Sequence, residues 1–151
     1  MKKYLILITI TVLVAACARG GGEREDAVMK EWEDVAAAIA GRPGVTSAEA
    51  RLGASDVIFV DVEVGREAIV AAGVTELDTG ITPAMLAAAP HPVQFRITVP
   101  DLDGRYWWGE YDADLGRWTG MATHAKQPHP DLEPRLDEVT GTFVVALPAE
   151  G

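Results

Sequence analysis

A single cysteine, Cys17, closes an apolar run at the N-terminus, and no other residue constrains the chain as strongly. The run extends from Tyr4 to Ala16, interrupted only by Thr9 and Thr11, and follows Lys2 and Lys3. Thirteen residues are too few to cross a hydrocarbon core, which takes about 20 helical residues. A basic start, a short apolar centre and small residues at the end describe an export signal. A chain exported with one thiol cannot close an internal disulfide, so its fold must be held by a hydrophobic core alone.

The run ends Val14-Ala15-Ala16-Cys17. This resembles the lipobox of bacterial lipoproteins: an aliphatic residue, two small residues, then the cysteine that receives lipid. The resemblance implies that Cys17 takes a diacylglycerol and that the chain is cut before it. It also implies that the new amine can be acylated, giving a lipid-anchored, extracytoplasmic protein. One acyl chain binds a membrane only marginally, at about 0.8 kcal/mol per buried CH₂, whereas two or more hold it. Ala18 stands where an aspartate retains lipoproteins on the inner membrane in some two-membrane bacteria, so the outer membrane is favoured in such a cell. Three segments follow: a signal peptide over 1–16, a lipidated cysteine and Gly-rich tether over 17–23, and one domain over 24–151. The tether, Ala18 to Gly22, reaches about 20 Å at most when extended.

Cutting before Cys17 removes Lys2 and Lys3 and no acid, so the mature chain is more negative than the formal −10 of the whole. Phosphate backbones and anionic head groups repel such a surface. No nucleic-acid partner is expected. The membrane is met through the lipid.

Hydrophobic periodicity organises the domain. Val28, Trp32, Val35 and Ile39 make one stripe of an amphipathic helix over 24–41, ended by Gly41. Ala48, Ala50 and Leu52 alternate with polar residues up to a turn at 53–56. Ile58, Val60, Val62 and Val64 then form one face of a strand, with Asp61 and Glu63 on the other. Residues 66–89 read as helical or mixed: a short helix ended by Gly73, then a second one capped by Thr82-Pro83. Val93, Phe95, Ile97 and Val99 alternate strictly. Turns at Asp101–Gly104 and Ala113–Gly116 separate strands over 105–112 and 117–123, and Thr140 to Leu147 makes the last strand. The fold class is α+β, with an N-terminal amphipathic helix and short helices packed on an antiparallel sheet of hairpins.

No motif names a reaction. Ser47 and Ser55 lie outside any Gly-x-Ser-x-Gly context, and His91, His124 and His129 lie in or beside loops. His124 and His129 lack a third ligand at diagnostic spacing, and Asp101-x-Asp103-Gly104 fits a turn better than a calcium loop. Neither a metal nor a cofactor is expected, and no catalytic residue is assigned. The dense feature is aromatic: Tyr106, Trp107, Trp108, Tyr111 and Trp118 share one hairpin. A four-residue loop pairs Tyr111 with Trp118 and Gly109 with Gly120, which puts Trp107, Tyr111 and Trp118 on one face. Tyr106, Trp108 and Glu110 take the other. The first three are the candidate contacts for an envelope protein or a glycan, provided that their face is not core. The run from Glu110 to Trp118 resembles the hairpins of small envelope domains such as PepSY, and no function is carried from it. The leading expectation is a non-catalytic binding or assembly domain. The alternative is a cell-envelope glycan hydrolase with Glu110 and Asp112 as paired carboxylates.

Overall fold

Alternation along the strands decides the layers. The computed structural model describes residues 22–102 and 105–148. Helix α1 covers residues 22–40 and buries Trp32, Ala36 and Ile39, as the stripe requires. On its exposed side the Lys30 ammonium is bonded to Asp34 one turn on, and that carboxylate holds the amine above its ordinary pKa. Strands β1 (Val45–Leu52) and β2 (Ile58–Val64) form the expected hairpin. Helix α2 (Arg66–Ala72) stops at Gly73, whose φ of 64° is a left-handed cap. Strand β3 (Glu76–Asp78) and helix α3 (Pro83–Ala88) follow. Thr82 caps α3, its side-chain oxygen accepting from the Met85 N–H at 3.2 Å. The chain continues through β4 (Val93–Val99), β5 (Arg105–Asp112), β6 (Arg117–Gly120), a 3₁₀ turn (Pro130–Leu132), β7 (Arg135–Leu136) and β8 (Phe143–Ala146).

Among the described residues five strands make one sheet in the order β1-β2-β4-β5-β6, and three make a second, β3-β8-β7. The inner face of the larger sheet carries Val60, Val62, Phe95, Ile97, Trp107 and Trp118, all buried. The helices and the second sheet enter the same core through Trp32, Ile39, Ile69, Leu86, Leu77 and Val145. Fully burying one such side chain contributes roughly 1.5–3 kcal/mol. Phe143 meets Trp118 at 5.7 Å and Tyr111 at 5.8 Å, which sets the smaller sheet over the β5–β6 end of the larger one.

The α+β class stands as expected, with three departures in detail. The larger sheet is mixed, because β2 and β4 run parallel. Their connection through α2, β3 and α3 has the length that a parallel crossover needs. The segment 66–89 also contains β3, too short at three residues to show a period and held by pairing Leu77 with Val145. Two strands are shorter than expected. β6 stops at Gly120, because the Thr123 hydroxyl accepts from the N–H groups of Ala125 and Lys126 and turns the chain away. β8 starts only at Phe143, because residues 137–142 turn it back on β7, with Gly141 at φ 71°. Helix α1 already runs at Gly22. Cys17, most of the tether, and Asp103 and Gly104 of the expected turn lie outside the described residues.

Candidate functional site

The outer face of the five-stranded sheet is built by the residues that alternate with the core. Register aligns them in rows across the strands. One row runs Arg51, Phe59, Gln94, Glu110 and Thr119; the next runs Glu49, Asp61, Arg96 and Trp108; the third runs Ser47, Glu63, Thr98 and Tyr106. All of these are exposed or half-buried except Gln94, which is buried.

Ion pairs and stacking order this face. Asp61 lies 3.4 Å from Arg51 Nε on one side and 3.4 Å from Arg96 Nε on the other. The Arg51 guanidinium sits 4.5 Å from the centre of the Phe59 ring, and that of Arg96 sits 5.6 Å from Trp108. Such cation–π contacts contribute about 0.5–1 kcal/mol at exposed sites. Gln94 joins the rows: its Oε1 accepts from the Trp108 indole N–H at 3.0 Å, and its amide donates to Glu110 Oε2 at 2.8 Å. Trp108 is thus fixed along its edge by Gln94 and over its face by Arg96. Beside it a hollow of about 530 Å³ is lined by Arg96, Pro100, Tyr106, Trp108 and Lys126. The Tyr106 hydroxyl donates to the Lys126 carbonyl at 2.7 Å and closes one side.

A larger hollow of about 660 Å³ opens at the end of the same sheet, lined by Leu86, His91, Glu110, Tyr111, Asp112 and Met121. The His91 Nε2 is buried there without a hydrogen-bond partner among the described residues. Asp112 is engaged in its own turn, where Oδ1 accepts from the N–H groups of Asp114 and Leu115 at 3.0 Å. His124 is exposed, and His129 Nδ1 lies 3.8 Å from Asp131. Among the described residues no three His, Cys, Asp or Glu side chains stand together as a metal site would need.

The pairing expected for the aromatic hairpin is the one found, with Tyr111 opposite Trp118 and Gly109 opposite Gly120. The face that it defines is turned inward. Trp107 is 1 % and Trp118 4 % exposed, and their rings meet edge to face at 6.0 Å and 87°. Tyr111 is half-buried, 5.4 Å from Trp118. A platform whose anchors are Trp107 and Trp118 is therefore not on the surface. The glycines make room for rings inside the protein: a Cβ on Gly109 would stand 2.4 Å from the Trp107 ring and 2.5 Å from the Thr119 carbonyl oxygen. The outward aromatics are Trp108, Tyr106 and Phe59, on the face that aromatic density alone did not select. Asp61 and Arg96 read in the sequence as an ordinary solvated pattern, and nothing local to either residue announces their pairing.

Cys17 defines the class of the chain. A family model described as the prokaryotic membrane lipoprotein lipid attachment site matches residues 1–18, which include the Val14–Cys17 run. The chain carries the lipid attachment site of a bacterial lipoprotein, membrane-associated and extracytoplasmic. No curated protein and no solved structure matches the chain. Among the described residues no helix is long and apolar enough to cross a membrane.

Proposed function

We propose that the domain is a non-catalytic binding module of the bacterial envelope, held at the membrane by lipid on Cys17 and presenting the outer sheet face to a protein or glycan. The observation that carries this reading is Trp108, a large aromatic half-buried on the outer face whose ring is held in place by Gln94 and Arg96. A ring already immobilised loses little conformational entropy on binding. Trp, Tyr and Arg together are the residue types that dominate binding hot spots. In a cell with two membranes the outer membrane is the proposed location, because Ala18 and not aspartate follows Cys17.

The test is co-sedimentation of the lipidated chain with isolated envelope material, wild type against Trp108→Ala and Arg96→Ala. Loss of an anchor of this kind weakens binding about thirtyfold. Equal binding by all three proteins would remove the reading.

A second reading, hydrolysis of envelope glycan, has one observation in its favour: Glu110 and Asp112 line the same 660 Å³ hollow. They stand two residues apart on one strand and project from one face, whereas an acid and its partner carboxylate flank the scissile bond. Release of reducing sugar from purified wall material, abolished by Glu110→Gln in a protein that still melts normally, would make the chain an enzyme.

A further inference from the structure

Among the described residues strand β1 forms one edge of the larger sheet and pairs only with β2. The hairpin bond from the Gly53 N–H to the Val57 carbonyl, 2.8 Å long, fixes which backbone groups face β2. Gly53, Arg51 and Glu49 direct theirs toward it, so Ala48, Ala50 and Leu52 direct theirs away. No backbone group of the described residues bonds to these outward donors and acceptors. Edge strands are commonly guarded by charged side chains, proline or a bulge. In β1, VTSAEARL, the bulge lies at Val45–Ser47, ahead of residues 48–52; that stretch has no proline, its two charges are of opposite sign, and its side chains at 48 and 50 are only methyl groups.

The charges on this strand are complementary to themselves. Glu49 lies directly opposite Asp61, an acid whose two cations are Arg51 and Arg96. Among the described residues no ion pair reaches Glu49, which is exposed. An antiparallel copy of β1, related by a two-fold axis at Ala50, places Glu49 opposite Arg51 twice. In that register the outward backbone groups of Ala50 meet those of the second Ala50, and Ala48 meets Leu52. Glu49 and Arg51 then occupy the non-hydrogen-bonded pairs, where facing side chains are closest. Leu52, 38 % exposed in the single chain, is covered. Sliding the strands two residues in either direction puts Glu49 on Glu49 or Arg51 on Arg51, so charge selects one register.

We infer that two copies of this chain associate through β1, two-fold about Ala50, joining their five-stranded sheets into one continuous sheet. The experiment is sedimentation equilibrium of the full lipidated chain in density-matched detergent micelles. Wild type should contain two chains per particle. Glu49→Arg or Arg51→Glu alone sets like charges opposite at both symmetry-related pairs and should weaken association about tenfold or more. The double variant Glu49→Arg/Arg51→Glu should restore it. Ala50→Pro removes an N–H that points away from β2, so the hairpin survives and the dimer is lost. Wild type that stays monomeric at every concentration overturns the inference. So does a dimer that ignores Ala50→Pro, or a double variant no tighter than the singles.

Discussion

Trp107 and Trp108 are adjacent in sequence and opposite in consequence. Trp107 is buried against Trp118 and lies over Gly109. Truncating a ring so placed costs about 3–5 kcal/mol through lost burial and the cavity left behind. Trp108 stands half-buried on the outer face with one hydrogen bond to Gln94 and one cation above its ring. Its removal forfeits about 0.5–1.5 kcal/mol for the bond and about 0.5–1 for the stacking. The net cost is roughly 1–2 kcal/mol, since Gln94 keeps Glu110 as a partner. For a domain of this size 1 kcal/mol moves Tm by about 3–4 °C. Trp107→Ala should therefore lower Tm by about 9–20 °C and Trp108→Ala by about 3–8 °C. Far-ultraviolet circular dichroism of the detergent-solubilised mature chain reads both. Equal shifts, or a larger shift for Trp108→Ala, would refute the face assignment and with it the choice of binding surface.

Three further outcomes follow from the same geometry. Gly109→Ala drives a methyl group into the Trp107 ring and the β6 backbone, and should cost about 1–3 kcal/mol in urea unfolding with an unchanged m value. Thr82→Ala removes the cap of α3 and should cost about 0.5–2 kcal/mol by the same measurement. Cys17→Ser should abolish incorporation of an alkyne fatty acid in growing cells, and equal labelling of the two proteins would refute lipidation at that residue.

Local patterns in the sequence carried part of this. The β5–β6 register followed from one loop length, and the α1 stripe and the Thr82 cap from periodicity and residue type. The inward face of the hairpin was not legible from the expected turn: four residues at 101–104 pair Pro100 with Arg105 and Ile97 with Trp108. In the structure Pro100 joins the loop, so Val99 pairs with Arg105, Ile97 with Trp107 and Phe95 with Gly109. The strictly alternating apolar set of β4 thereby claims Trp107 for the core and leaves Trp108 outside. Aromatic density pointed the other way, because glycines beside rings serve a buried cluster as well as an exposed one. The parallel pairing of β2 with β4 and the strands β3 and β7 were not legible. They are set by contacts between segments far apart in the chain, and strands of two or three residues are too short to show a period.

The most direct measurement of the binding surface is site-specific photo-cross-linking in intact cells. The full chain would carry the photoreactive residue at position 108 in one strain and at position 139 in another. Val139 is 94 % exposed and far along the chain from the outer face, so it reports chance encounters. A discrete adduct from position 108, absent from position 139, is the expected result, and its mass separates a protein from a glycan. No adduct at 108, or the same adducts from both positions, would contradict a binding role for the Trp108 face.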